Sequence, residues 1–313
     1  MQTKSAPKEK SVTIQVFHRE TCRLCDSQNV ELVVKLEPIP LSENYCNDSA
    51  TGKNADRYPI DLYMCADCGH VHQLDVVDSK SLWENYTYYS GDAKGMPEHF
   101  NQVAAKIISE YKPPADALVI DIGSNDGSLL HPFKDDGYRV LGIDPVKEIA
   151  EMATESGIET IPELMSLRLG QKIRKERGDA HIVCMFNAFA HADNMGEIAE
   201  SIRTMLAPDG LFVFEAQYLL DIIDRMLIAT IFHEHMSHHS VKALTVFFAR
   251  HGLELIDVER VPIQHGSLIG TVQLMGGKRK AKPSVQQLLD LEIKRGLDKI
   301  DTLKRFGKNI ALQ

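Results

Sequence analysis

From residue 117 onward, short apolar runs alternate with longer amphipathic stretches, the pattern of a buried sheet covered by helices. The runs Ala117–Asp121, Tyr138–Ile143, Ala180–Phe186 and Leu211–Glu215 each read as a strand, with helices predicted between them. Such alternation gives a doubly wound sheet that binds its ligand at the carboxyl ends of the strands. Glu254–Val261 and Leu268–Leu274 are candidate sixth and seventh strands, and Ser284–Lys308 reads as helix broken near Gly296. Upstream, Tyr58–Met64 and His70–Leu74 read as strands of a separate small lobe. The most apolar segment, Leu219–Phe232, carries Asp221, Asp224 and Arg225, so it is too short and too charged to span a bilayer.

The first strand opens into Asp121-Ile-Gly123-Ser-Asn-Asp126-Gly127. A dinucleotide fingerprint needs Gly-x-Gly-x-x-Gly, whose glycines admit a pyrophosphate. Here acidic side chains would repel a pyrophosphate, and a sulfonium cofactor suits the loop better. Gly123 and Gly127 let the backbone approach the ligand, while Asp121 and Asp126 favour its cationic amino-acid end. Asp144 closes the second strand, where an acid grips ribose hydroxyls in nucleoside-binding sheets. The set predicts S-adenosylmethionine. With it comes a class I methyltransferase core, Rossmann-like and seven-stranded, with the last strand inserted antiparallel.

Four of the six cysteines form two knuckles, Cys22-Arg-Leu-Cys25 and Cys65-Ala-Asp-Cys68. A Cys-x-x-Cys hairpin presents two thiolates at the angle tetrahedral zinc requires, and two hairpins make a closed site. Gly69 supplies the turn after the second knuckle. Four thiolates leave no open coordination position, so this zinc is expected to organise the fold and take no part in chemistry. Cys46 and Cys184 have no partner by spacing and read as ordinary residues. The chain then divides into a disordered lead-in (1–12), a zinc-binding lobe (13–92), a methyltransferase core (93–278) and a C-terminal helical segment (279–313).

Composition narrows the function classes. The 313 residues are 43% hydrophobic and 25% charged, ordinary for a soluble globular chain, with a formal net charge of -9. That acidic balance argues against a general nucleic-acid partner. The basic run Lys278–Lys282 reads as a solvated loop. Met1–Ser11 is polar and lacks the apolar core of a signal peptide, so a cytoplasmic protein with reduced cysteines and no membrane partner is expected.

Phe232-His-Glu-His-Met-Ser-His-His239 places four histidines and a carboxylate within eight positions. It does not match a zincin helix, because the position four after His233 is Ser237 and His235 is followed by Met236. A zinc lobe ahead of a methyltransferase core, with this element behind the fifth strand, resembles the sugar C-methyltransferases, which act on nucleotide-linked 4-keto-deoxysugars. The matching motifs are the two knuckles, Tyr86-Thr-Tyr-Tyr-Ser90-Gly, Asp121 to Gly127, Asn187-Ala-Phe-Ala-His191, Phe232-His-Glu-His235 and His265-Gly-Ser-Leu268. They span about residues 20 to 275.

The resemblance implies a substrate site built from Tyr86, His191, Glu234 and His235. It also implies that Ser90, Asn125 and Asn187 join Asp121, Gly123, Asp126, Gly127 and Asp144 around the cofactor. In the family, a base in the His-Glu-His element takes the proton beside the sugar ketone. Chemistry asks for the same parts, since such a carbon becomes a nucleophile only on deprotonation and the enolate oxygen needs a partner. His235 is the candidate base, with Glu234 orienting it or sharing the proton. His191 and Tyr86 are candidates to bind or protonate the oxygen. His233 reads as structural, and His238 and His239 as the polar first turn of a following helix.

Two departures from the family pattern qualify the expectation. The family element usually begins with tyrosine, whereas Phe232 has no hydroxyl. The family also continues with a further α/β domain that helps hold the nucleotide half of the substrate, so here a partner protein or an oligomer is expected to complete the site, or the acceptor is a different ketone. Two other readings stay open: a hydroxyl or amine acceptor on a small molecule, and a non-catalytic zinc-containing binding protein on the same scaffold.

Overall fold

The computed structural model describes residues 14–42, 49–83 and 86–312. The expected lead-in and Cys46 lie outside the described residues. In chain order the strands are β1 (Val16–His18), β2 (Val30–Val34), β3 (Leu62–Cys65), β4 (Val71–Gln73), β5 (Asp75–Val77), β6 (Leu118–Ile122), β7 (Arg139–Ile143), β8 (Thr160–Ile161), β9 (Ala180–Phe186), β10 (Leu206–Gln217), β11 (Ser237–His238), β12 (Leu253–Val261) and β13 (Ser267–Leu274).

Seven of them form one sheet in the order β12-β13-β10-β9-β6-β7-β8. β6 to β10 run parallel, and β13 pairs antiparallel with both β10 and β12. This is the class I methyltransferase arrangement expected from the apolar runs. β6 is buried at all five positions because both faces of the sheet are covered, which is why its sequence is a continuous apolar run. On one face the helix Met96–Tyr111 packs Phe100 and Ile107 against Phe133 and Phe186. On the other, a single core continues from Cys22 of the lobe to Phe306 of the C-terminal segment.

The lobe holds a two-stranded sheet, β1-β5, and a four-stranded sheet in the order β11-β4-β3-β2. The expected strand at Tyr58–Met64 is shorter, since β3 starts at Leu62 and Tyr58 makes only a bridge to Ile39. The fourth strand of this sheet is lent by the core: Ser237 pairs with His72 and His238 with Val71. That corrects the reading of His238 and His239 as a polar first turn. Both are buried, with imidazoles pushed down to about 3 chiefly by that burial, and His239 stacks on Phe189 at 5.1 Å. The helix begins later, at Val241, with Ser240 as its cap and Glu292 accepting from the backbone N–H groups of Val241 (2.6 Å) and Lys242 (3.0 Å).

The C-terminal segment forms two helices, Pro283–Arg295 and Ile300–Ile310, separated at Gly296 with φ +63° as expected. The second lies against β2, where Gly307 approaches the backbone of Val33 and Val34. Among the described residues, no helix is long and apolar enough to cross a membrane.

Candidate active site

A cavity of about 400 Å³ opens at the carboxyl ends of β6, β7 and β9 and extends under the zinc lobe. Backbone demands shape its inner rim. Gly123 sits at φ +74°, and a Cβ there would meet Ala188 Cβ at 2.6 Å. Asn125 and Asn187 adopt φ of 50° and 54°, a region that asparagine tolerates better than most residues. All three line the cavity with Ser90 and Asp144.

Asn125 ties this rim together. Its backbone N–H donates to Asp144 Oδ2 at 2.9 Å, its Nδ2 donates to Tyr88 O at 2.9 Å, and its Oδ1 accepts from Ser90 N at 2.8 Å. Val146 N donates to the other Asp144 oxygen at 2.9 Å. Each Asp144 oxygen therefore keeps a lone pair for a ligand hydroxyl. Asp121, Asp126 and Gly127 stand behind the rim. Asp126 accepts from Gly91 N at 2.7 Å and from Ser128, so it fastens the 88–91 segment to the loop. Gly127 accommodates Ile158, 3.0 Å from where a Cβ would stand. Asp121 is buried with Oδ1 lacking a partner, and burial, then Asp144, push its carboxyl up to about 8. A strand-end acid with spare acceptors and a glycine that admits close approach fit a nucleoside such as S-adenosylmethionine, whereas Asp121, off the cavity and pushed toward its neutral form, does not face the ligand's cationic end as expected.

The far wall is aromatic. Trp83, Tyr86, His191 and Met236 line it. Four rings form a column: Trp83 to His191 at 5.6 Å, His191 to His235 at 5.2 Å, and His235 to Phe232 at 4.0 Å between centroids. Tyr86 meets Trp83 edge-on at 5.3 Å. His191 is on the cavity wall, and His235 lies one ring behind it. The Nδ1–H of His235 donates to the Thr230 carbonyl at 2.8 Å, which leaves the lone pair on Nε2. Burial pushes this imidazole down to about 4, and it pushes His191 well below the ordinary histidine value. His191 Nε2 is buried without a partner.

Glu234 is buried and accepts from Ser42 Oγ at 2.8 Å, while the Thr230 carbonyl fixes the His235 ring. His233 Nε2–H donates to Tyr58 O at 3.2 Å, a structural role as expected. Phe232 uses its ring, as the base of the column. Trp83 was not among the sequence candidates. A single aromatic in a short helix, Ser79–Trp83, carries no spacing signal that could have singled it out. A half-buried pair was also missed: His99 Nε2 lies 2.5 Å from Glu215 Oε2, on the sheet face opposite the lobe.

In the lobe, Cys22 Sγ lies 3.6 Å from Cys68 Sγ, and Cys25 Sγ lies 3.6 Å from Cys65 Sγ. All four sulfurs fall within 4.8 Å of one another. Tetrahedral zinc with Zn–S near 2.3 Å needs S–S separations of about 3.8 Å, so the four thiols fit that ion. Cys184 is buried in β9 and belongs to no group of three or more potential metal ligands among the described residues, as expected of an ordinary core residue.

Comparison with known proteins places the two parts separately. Residues 96–258 match a family model described as a methyltransferase domain, and residues 22–83 match one for a zinc binding domain. The chain belongs to the methyltransferase-domain family. A curated relative, the C-methyltransferase NovU of Streptomyces niveus, is 29% identical over 288 residues, covering 92% of this chain and 69% of that protein. Among solved structures, the PH0226 protein of Pyrococcus horikoshii is 14% identical with a TM-score of 0.49, covering 63% of this chain and 100% of that one. The magnesium protoporphyrin IX methyltransferase of Synechocystis with bound SAH is 15% identical with a TM-score of 0.45, covering 58% of this chain and 84% of that one. The two matched domains, in this order, fit the sugar C-methyltransferase resemblance. S-adenosylmethionine for the core and zinc for the four cysteines are the cofactors of this methyltransferase.

Proposed function

We propose that this methyltransferase methylates carbon, at the position beside the ketone of a nucleotide-linked 4-keto-deoxysugar. The observation that carries the reading is the His191–His235 stack, two neutral imidazoles of which His191 lines the cavity and His235 packs directly behind it. A hydroxyl or amine acceptor would ask for one base; a carbon acid asks for a base and a partner for the enolate oxygen. His235 Nε2 takes the proton in this reading. The His191 N–H and the Tyr86 hydroxyl meet the oxygen, as a neutral imidazole can when burial keeps it uncharged.

When bound, S-adenosylmethionine supplies the electrophilic methyl group. Asp144 holds the ribose hydroxyls, Gly123 and Asn125 bring the backbone close, and Asn187 and Ser90 close the rim around it. Water is kept from the reacting carbon by Trp83 and Met236.

The test is solvent deuterium exchange into a nucleotide-linked 4-keto-6-deoxysugar with cofactor-loaded protein. Exchange in the wild type, lost about 100-fold or more in His235→Asn and weakened in His191→Asn, is the expected result. Unchanged exchange in His235→Asn removes the base assignment. No exchange in the wild type removes carbon methylation beside a ketone.

A further inference from the structure

The two imidazoles of the stack are held in different ways. His235 is fixed by a hydrogen bond, its Nδ1–H donating to the Thr230 carbonyl at 2.8 Å. His191 has no such anchor. The turn that carries it, Phe189–His191, is pinned by the fully buried Phe189 and by the bond from His191 N to Ala188 O at 3.0 Å, and both of these fix backbone. Its ring makes no hydrogen bond among the described residues, and its Nε2 is buried without a partner. Packing is what remains to direct it. Trp83 lies 5.6 Å away with the ring planes 32° apart, and His235 lies 5.2 Å away at 23°.

Trp83 is itself held firmly. Asp78 caps the helix Ser79–Trp83 by accepting from the Ser81 N–H at 3.0 Å and from the Ser81 hydroxyl at 2.7 Å. The indole packs on the small apolar core of Val76, Val77, Leu82 and Met236, and Tyr86 meets it edge-on at 5.3 Å. An imidazole that handles protons needs a defined ring direction, which a hydrogen bond or a close-packed neighbour imposes. We propose that Trp83 is the positioning residue for His191, its indole setting the direction of an imidazole that no hydrogen bond directs. The same cover keeps water from the ring, in keeping with an imidazole that burial holds uncharged. The inference rests on the proposed reaction for what His191 does, and on the packing alone for how its ring is held.

The test compares Trp83→Ala, Trp83→Phe, His191→Asn and the double variant Trp83→Ala/His191→Asn. Trp83→Ala is expected to slow deuterium exchange at saturating ketone about tenfold or more, with KM within about threefold. Trp83→Phe, which restores a flat ring, stays within about threefold of wild type. In His191→Asn, adding Trp83→Ala costs less than about twofold more, because the ring it served is gone. Losses that simply multiply, a loss confined to KM, or an equal loss of S-adenosylmethionine affinity overturns the inference. A second readout needs no substrate. Nuclear Overhauser contacts between the ring protons of His191 and His235, assigned by their absence in His191→Asn, are expected in wild type and Trp83→Phe and to vanish in Trp83→Ala. Their persistence in Trp83→Ala shows that His191 keeps its place without the indole, and overturns the inference. No exchange in the wild type sinks the reaction and leaves these contacts to decide the inference alone.

Discussion

At Gly123 backbone shape and ligand access are the same requirement. Its φ of +74° is strained for any side chain, and Ala188 already fills the space a Cβ would take. Gly123→Ala is expected to cost about 1–3 kcal/mol of stability and to weaken S-adenosylmethionine binding tenfold or more, measured by calorimetry. Affinity within twofold of wild type would mean the loop is not the cofactor cradle. Asp121 gives a second residue-level expectation. Its folded value of about 8 lies above its ordinary 3.8. The native protein therefore holds a proton that the unfolded chain has released, and the stabilising contribution, complete below about 3.8, is lost as pH rises toward 8. Over that window the loss is at most on the order of 6 kcal/mol. Asp121→Asn is expected to flatten the fall in unfolding free energy between pH 5 and pH 8, read by denaturant titration at about four pH values. An unchanged slope would place the proton elsewhere.

The element scale separates what the sequence announces from what only packing decides. That Gly123, Asn125, Asn187 and Asp144 share one cavity rim was legible because the first three occupy backbone angles few residue types accept, and Asp144 ends an apolar run. The main sheet was legible because its strands are buried on both faces. β8 and β11, two residues each, fall below any periodicity. His238 and His239 look polar in sequence, and only the stacking of His239 on Phe189 and the pairing of β11 with β4 bury them. The join between the Ile300–Ile310 helix and β2 was equally hidden, since it depends on the missing side chain of Gly307, whose added Cβ would stand 3.3 Å from Val33 O and Val34 Cα. Because those neighbours are largely backbone, they cannot turn aside. Gly307→Leu is expected to lift the helix from the lobe, lower stability by about 1–3 kcal/mol and speed proteolysis near residue 299. Wild-type protease resistance would show that the contact can relax.

Across the whole molecule the zinc lobe reaches the candidate site through several contacts, and the one that starts inside the metal site is Arg23. Arg23 lies inside the first knuckle, between Cys22 and Cys25, and is buried. Its Nη1 donates to the carbonyls of Gln73 (2.7 Å) and Met236 (2.9 Å), and burial lowers its guanidinium only to about 10, so it stays charged. Gln73 adds a bond from Nε2 to Phe232 O at 2.8 Å. The loop that carries His235 is thus held by residues the cysteines position, whereas Gly123, Asn125 and Asp144 sit on the core's own strands. Loss of zinc should loosen the first set and spare the second. After metal removal by a strong chelator, or in Cys65→Ser, S-adenosylmethionine affinity is expected to change by less than about threefold while deuterium exchange at the acceptor falls at least tenfold. The Arg23→Met variant, with zinc retained, is expected to reproduce the exchange defect, because it removes the link and leaves the knuckle. If chelation abolishes cofactor binding and exchange together, the lobe supports the whole fold and not the acceptor loop. If neither changes, the metal and Arg23 have no part in placing the base, and the bond from Gln73 Nε2 to Phe232 O and the pairing of β11 with β4 hold the His235 loop without them.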